Sequence, residues 1–294
     1  MAILGGIEGG GTKWVLGIGT GPADLQTVTI PATTPHETLR NAADFFRGRG
    51  IAALGIGCFG PLDLHPSSRT YGYITSTPKA GWQNTDVLGE FRRELQVPVA
   101  LDTDVNAAAL GEARWGAAQG LTDFVYITVG TGIGGGALVG GRLLHGLTHP
   151  EMGHMPVAVD TCRDPFQGCC PFHRACLEGM ASGPAIRARW GSPADKLPDQ
   201  HEAWPLEAHY LSGALAGVVY VLSPMRIILG GGVMRRSQLF PLIRQELVER
   251  LQNYIQAPEI LKEIDTFVVP PALGEKSGVA GALVLAEQSL RSGA

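Results

Sequence analysis

The chain has 294 residues, of which 45% are hydrophobic and 17% charged, with a formal net charge of −4 at pH 7. That length and apolar content allow one large or two medium domains around a buried core and exclude a disordered chain. The slightly acidic balance, with no run of basic residues, excludes the electrostatic footprint of a nucleic-acid or anionic-membrane binder and favours small-molecule chemistry.

No segment reaches the roughly 18 consecutive apolar residues of a membrane span. The opening Met1-Ala2-Ile3-Leu4-Gly5-Gly6 lacks the charged start and apolar run of a secretory signal. A cytoplasmic location is therefore expected, where thiols stay reduced.

In chain order, a short apolar strand over 3–8 runs into Gly9, Gly10, Gly11, Thr12 and Lys13, and a second strand over 14–18 follows at once. The glycines sit at a hairpin tip, where they permit positive φ and let backbone N–H groups approach a phosphate. An ordinary glycine-rich hairpin is the plainer alternative. A P-loop is excluded, because no G-x-x-x-x-G-K-[ST] occurs and no helix follows.

Thr34-Pro35-His36-Glu37 predicts a capped helix start with proline at the first helical position, running to about Phe46. A buried strand over 52–57 then feeds the turn Phe59-Gly60-Pro61-Leu62-Asp63. Such strand ends are where open α/β sheets bind ligands. Residues 76–84 read as a polar surface loop with one aromatic anchor, Trp82.

A strand over 97–101 precedes Asp102, Thr103 and Asp104, and a helix is expected from about Val105 to Ala117. A carboxylate at this junction is well placed to face a cleft, although aspartate is also a common N-cap. With two aspartates, one can cap while the other reacts. Further on, a strand over 124–129 enters Gly130-Thr131-Gly132-Ile133-Gly134-Gly135-Gly136. This contains a G-x-G-x-x-G match, but apolar strand continues after it where a dinucleotide fingerprint demands a helix. It is instead a second strand, glycine turn, strand unit like the first, and the pair suggests a duplicated architecture gripping one nucleotide between two lobes.

Four of the five cysteines lie between Cys162 and Cys176. Cys170, His173 and Cys176 form a C-x2-H-x2-C run with His154 a loop's length upstream, a soft donor set that would close a tetrahedral zinc shell. Incidental thiols or a disulfide are the alternatives. Cys169 competes with Cys170 as a ligand, and the symmetrical spacing about His173 favours Cys170. Glu151 and Glu178 flank these ligands, so the segment reads as a zinc-stapled substrate floor.

A short helix is expected from Ser182, a longer apolar one over about 206–222, and a buried strand over 226–229 ending in Gly230-Gly231-Gly232. The next helix carries Leu239, Leu242, Ile243, Leu247, Leu251, Tyr254 and Ile255 at helical spacing, which reads as core. A last strand over 266–269 and a terminal helix from about Lys276 complete the pattern. Gly278, Gly281 and Ala282 would let that helix pack closely.

Glu8-Gly-Gly-Gly-Thr-Lys13, Asp104-Val-Asn106, Gly130-Thr-Gly-Ile-Gly-Gly-Gly136, Glu151-Met-Gly-His154, Cys170 to Glu178 and Leu229-Gly-Gly-Gly232 together resemble the ROK family of sugar kinases over nearly the whole chain. Residues 71–82 and the Cys-Pro-Phe-His segment resemble its bacterial fructokinase branch, where glutamate at the position of Glu8 is also usual. The resemblance implies an α/β, two-lobed, actin-like ATPase fold of the ribonuclease-H-like type with duplicated strand-hairpin phosphate loops. It also implies ATP and Mg2+ as cofactors, a structural Zn2+, and a homodimer. The first lobe is expected over 1–115 with the helix of 276–294 packed back on it, and the second over 116–275 with the zinc-bound substrate loop.

The same resemblance assigns roles. Asp104 would be the general base on the sugar 6-hydroxyl. Gly60, Pro61, Thr103, Glu151, His154 and Glu178 would contact the sugar, with Thr103 standing where the family usually has asparagine and a water extending its reach. Gly9 to Lys13, Thr131 and Gly132 would cradle phosphates, while Pro184, Gly231 and Gly232 would lie near the nucleoside. His154, Cys170, His173 and Cys176 would hold zinc, although many relatives use three cysteines and one histidine. The implied activity is ATP-dependent phosphorylation of fructose at its 6-hydroxyl, with another hexose or an N-acetylhexosamine as the alternative substrate. A non-catalytic sugar-binding regulator is a further alternative; as a repressor it would need an N-terminal helix-turn-helix, whereas this sequence opens on the first strand.

Overall fold

The computed structural model describes residues 2–292, so residues 1, 293 and 294, to which the expected lobe and helix bounds extend, lie outside the described residues. The elements in chain order begin β1 (Leu4–Gly9), β2 (Lys13–Gly19), β3 (Gln26–Pro31), α1 (Pro35–Phe46), β4 (Ala53–Cys58), β5 (Tyr73–Ile74), β6 (Thr85–Asp86), α2 (Val87–Leu95), β7 (Val99–Thr103) and α3 (Asp104–Trp115). They continue with β8 (Phe124–Val129), β9 (Ile133–Val139), β10 (Arg142–Leu143), α4 (Leu177–Ala181), α5 (Gly183–Trp190), α6 (Ala203–Leu222) and β11 (Ile227–Gly230). The series closes with α7 (Leu239–Leu251), α8 (Pro258–Leu261), α9 (Ile264–Phe267), β12 (Val268–Val269) and α10 (Ser277–Ser292).

The chain divides into two compact units. The first comprises Met1–Gly120, Leu143–Pro150 and Ala272–Ala294; the second comprises Leu121–Arg142 and Glu151–Pro271. Each is built on a five-stranded sheet of the same plan, β3-β2-β1-β4-β7 and β10-β9-β8-β11-β12. In both, the leading strand pairs antiparallel with its hairpin partner and parallel with the next strand inward, as β1 does with β2 and β4, and β8 with β9 and β11. The duplicated α/β architecture expected from the two glycine hairpins is present.

In the first unit both faces of the sheet are covered, so β1 and β4 read as continuous apolar-and-small runs rather than alternating ones. Period-two geometry sends Ile7 to one face, where Trp14, Leu16, Phe46, Leu54, Ile56, Trp82 and Phe91 form the core. It sends Leu4 to the other, against Leu283 and Ala286 of α10. The helix lies backbone-close: a Cβ on Gly55 would stand 1.8 Å from Ala282 O, and one on Gly281 would stand 1.6 Å from Ala107 O of α3. Glycine is required at both positions, and the expected close packing of the terminal helix is realised on β4 and α3.

In the second unit, β11 is buried along its whole length, and Trp204, Tyr210, Leu211 and Leu215 of α6 are fully covered. Helix α6 begins at Ala203, earlier than expected. Helix α7 ends at Leu251 with Gln252 in a left-handed cap, so Tyr254 falls beyond it and is 81% exposed. Tyr254 is therefore not part of the core stripe, which ends one turn sooner because the cap breaks the helical period. Strand β3 is an addition to the expected elements; its Thr27-Val28-Thr29-Ile30 alternation suits a strand, and its residues are nearly all exposed.

Candidate active site

In the first unit the Gly9–Lys13 turn closes as a β1–β2 hairpin. Gly9 pairs with Trp14, Gly10 N donates to Lys13 O at 3.0 Å, and Ala32 N donates to Thr12 O at 3.0 Å. Gly11, Thr12 and Lys13 are exposed. The fixed-strand, open-tip geometry leaves backbone N–H groups of the tip available to an anion.

Glu8 lies at the end of β1 on the face toward α10, where Gly278 makes room: a Cβ there would stand 2.4 Å from the Glu8 carboxyl carbon. Its Oε2 is buried without a hydrogen-bond partner. Burial first, and then the nearby Asp104 charge, push its carboxyl up to about 7.

The β7–α3 junction resolves the two aspartates. The N-cap is Thr103, whose hydroxyl accepts from Asn106 N at 3.1 Å, so neither aspartate caps and the Thr103 side chain is 3% exposed. Asp102 is buried and accepts from Thr103 N (2.7 Å) and Asn106 Nδ2 (2.7 Å), with His145 Nε2 at 3.0 Å. Asp104 is half-buried in the first helical turn and accepts from Val105 N at 2.9 Å. Burial pushes its carboxyl up to about 6, against the lowering pull of the backbone N–H groups. A carboxylate of that basicity at a strand end is suited to accept a proton near neutral pH.

Gly60 and Pro61 follow β4 through a cis peptide. Pro61 O accepts from Thr75 N at 2.8 Å, and His149 packs against Gly60 while its Nε2 accepts from Leu62 N at 2.9 Å. That bond assigns the His149 proton to Nδ1, and burial lowers the pKa of the ring. Sequence reasoning missed His145 and His149, which return with residues 143–150 to the first unit. It also missed Lys79, because the 76–84 loop is not a free surface loop. Its Trp82 is fully buried with Nε1 donating to Thr33 O at 2.9 Å, and Lys79 Nζ donates to Gly11 O and to Ala32 O.

In the second unit the β8–β9 turn is held by Gly130 N donating to Gly132 O at 2.8 Å, with strand continuing after it as the rejection of a dinucleotide fold requires. Thr131 is exposed at its tip. Gly183 N, in the first turn of α5 beside Pro184, donates to Gly130 O at 2.8 Å. Gly231, at φ +91°, presses on Val129, where a Cβ would stand 2.4 Å from the carbonyl oxygen; Gly232 N lies 3.8 Å from the Cβ position of Gly130. The second hairpin, Pro184 and the Gly231–Gly232 pair are thus brought to one place.

His154, Cys170, His173 and Cys176 form one cluster, their donor atoms all within 4.8 Å of one another. His154 Nδ1 lies 3.5 Å from Cys176 Sγ, and Cys170 Sγ lies 3.8 Å from both His154 Nδ1 and His173 Nδ1. A tetrahedral ion with Zn–S about 2.3 Å and Zn–N about 2.0–2.1 Å would place S and N about 3.5 Å apart, so the donor set and its spacing fit Zn2+. The local fold explains the convergence. Cys170 and Arg174 exchange backbone hydrogen bonds in a tight knuckle, while Leu177 N donates to Met155 O at 2.9 Å and draws Cys176 beside His154. Cys169 is exposed and outside the cluster.

Glu151 is exposed just ahead of the short 3-10 turn Met152–His154. Glu178, in the first turn of α4, accepts from Ile133 N at 2.9 Å, so the carboxylate two residues past Cys176 also braces the β8–β9 hairpin.

A family model described as "ROK family" matches residues 4–289. The chain is 47% identical over 291 residues to a Bacillus subtilis protein provisionally named a fructokinase, covering 99% of this chain and 97% of that one. It is 43% identical over 294 residues to a fructokinase of Zymomonas mobilis, covering 97% and 96%. Among solved structures, a ROK family glucokinase from Streptomyces griseus in complex with glucose and AMPPNP superposes with a TM-score of 0.77 at 25% identity, covering 97% of this chain and 99% of that one.

Proposed function

The chain belongs to the ROK family, and from that premise we propose that it is an ATP-dependent fructokinase that transfers the γ-phosphate of ATP to the 6-hydroxyl of fructose. The observation that carries the reaction is Asp104, a half-buried carboxyl raised to about 6 at the start of α3. In this reading it accepts the proton of the attacking hydroxyl, and the neighbouring Asp102, saturated with hydrogen bonds, does not. Phosphoryl transfer needs mainly positioning and charge stabilisation, and two hairpins with open backbone N–H tips supply donors for the phosphates.

Roles follow unit by unit. The first unit supplies Asp104, the Gly60–Pro61 turn and the Gly9 to Lys13 hairpin; Thr103 acts there through the cap it provides. The second supplies Glu151, His154 and Glu178 for sugar hydroxyls, Thr131 and Gly132 for phosphate, and Pro184, Gly231 and Gly232 for the nucleoside. Mg2+ would neutralise phosphate charge, and the hard oxygens of the paired Glu8 and Asp104 carboxyls, one of them without a partner, fit such an ion directly or through water. Zn2+ would be held by His154, Cys170, His173 and Cys176 as a closed structural site that fixes the loop carrying Glu178. No helix among the described residues is long and apolar enough to cross a membrane, in keeping with a cytoplasmic enzyme. Its partners are the sugar and ATP, and a homodimer is its proposed assembly, for which exposed Tyr220, Val221 and Tyr254 offer apolar surface.

A coupled ADP-release assay with ATP and fructose, glucose, mannose, N-acetylglucosamine and N-acetylmannosamine tests the proposal. Fructose is expected to give the highest kcat/KM. An N-acetylated sugar in first place would overturn the substrate while leaving the kinase, and no turnover with any of the five would overturn the activity.

A further inference from the structure

The proposed reaction makes no use of the 76–84 loop, yet that loop sends a lysine onto the tip of the first hairpin. Lys79 Nζ donates to Gly11 O at the hairpin tip and, at 3.1 Å, to Ala32 O in the segment that follows β3. Ala32 in turn closes the other side of the same turn, its N–H on Thr12 O. The ammonium therefore bridges the tip and the segment beneath it.

The lysine is itself held. Its ammonium lies 5.0 Å from the Trp82 ring centroid and 5.6 Å from that of Phe59, a cation over two aromatic faces. Trp82 is fixed by the Thr33 O bond and by packing on Trp14 and Phe59 at centroid distances of 5.7 and 5.2 Å. Trp14 belongs to β2, directly after the turn. Partial burial lowers the Lys79 pKa without removing the cation's partners.

The arrangement has a directional consequence. A glycine-rich tip is free to rotate its peptide units, and carbonyl oxygens turned toward a polyphosphate would repel it. A cation that fastens the Gly11 carbonyl selects one orientation of that peptide and leaves the N–H groups of the tip for the anion. With two of its three donors spent on carbonyls, the ammonium also places a unit positive charge at the tip.

We propose that Lys79 is the positioning residue of the β1–β2 phosphate hairpin, holding the Gly11 peptide in the orientation that receives the polyphosphate of a nucleoside triphosphate. This rests on the kinase reading for the identity of the anion, but the clamp itself does not.

Two measurements separate the parts. In nucleotide-free protein, amide hydrogen exchange at Gly10 and Ala32, both hydrogen-bonded across the turn, should be faster in Lys79→Met than in wild type by about tenfold or more, the loss of roughly one charged hydrogen bond. By calorimetry with ADP and with a non-hydrolysable ATP analogue, Lys79→Met should bind about ten- to hundredfold more weakly while fructose affinity stays within about twofold. Lys79→Arg, which keeps charge and donors, should recover most of both effects. Unchanged exchange and unchanged nucleotide affinity in Lys79→Met would overturn the proposal, as would equal losses for nucleotide and fructose, which would mark a general structural role. A wild type that binds no nucleotide would overturn the kinase reading and the nucleotide role with it, whereas the exchange comparison would still decide whether Lys79 clamps the turn.

Discussion

The two glycine hairpins share a strand plan and are braced by opposite charges. At β1–β2 a lysine ammonium fastens a carbonyl of the tip; at β8–β9 the Glu178 carboxylate fastens the N–H of Ile133. The first brace leaves the tip's donors unspent and comes from an aromatic-lined loop. The second consumes one donor and comes from α4, directly after the Cys/His cluster. The two units thus share a backbone plan while their bracing differs: under the proposed reading each carries a phosphate hairpin, the first adds the proton acceptor and the second a carboxylate beside the Cys/His cluster.

The largest test of that division is Asp104→Asn, which keeps the shape and removes the proton acceptor. It should lower kcat by roughly 10²- to 10⁴-fold with little change in the KM for fructose. A raised sugar KM at unchanged kcat would break the division. In wild type, kcat/KM should climb as pH rises through about 6 to 7, the range of the interacting Asp104 and Glu8 carboxyls, because the base works only when ionised. In the variant the Asp104 limb disappears, and Glu8, relieved of a like charge, titrates lower.

Next in size is the second unit's brace. Purified protein should carry about one zinc per chain, and Cys176→Ala should release it and raise the KM for fructose by roughly ten- to hundredfold, the cost of freeing one or two hydrogen-bonding carboxylates. The KM for ATP should rise less. An equal rise would show that Glu178 acts chiefly through the hairpin rather than on the sugar. Cys169→Ala should leave metal content and kinetics intact, since its thiol lies outside the cluster.

The last effect concerns stability rather than turnover. The Glu8 carboxyl is raised in the fold, so its contribution is fully present below its unfolded value of 4.5 and is lost as pH rises through about 7. Glu8→Gln, which cannot ionise, should therefore stabilise the chain at pH 8 by up to about 3 kcal/mol, and the difference should vanish toward pH 4. Equal denaturation midpoints for the two proteins at pH 8 would contradict the burial of this carboxylate.

Both hairpins were legible because glycine runs between apolar strands leave few other structures open, and the Cys/His cluster because three of its four donors are close in sequence. What escaped was tertiary. Lys79 looked like one more polar residue in a loop, and only the fold shows its reach to Gly11. Thr103 was passed over as a cap because two aspartates flank it, yet the Asp102 carboxylate is occupied by Asn106 and His145. Strand β3 does alternate Thr27 and Thr29 with Val28 and Ile30, but the run is short and nearly all exposed, so no buried face marked it as part of a sheet. His149 is invisible in sequence, since its partner Leu62 lies in a distant turn.

The close seating of α10 on β4 and α3 also sets an order of events during synthesis. The first sheet has all its strands by Thr103, but the helix that covers one face begins only at Ser277. Glu112 marks the same delay: it is fully buried, and its carboxylate accepts from Ala272 N, Leu273 N and the Ser277 hydroxyl, groups translated long after it. At a ribosome adding about 5–20 residues per second, Leu4, Ala53 and the Glu112 side chain must wait for their partners while the intervening unit emerges. For that interval the nascent first unit exposes an apolar sheet face, so this chain should depend on chaperone capacity most when its last segment is delayed or cut short.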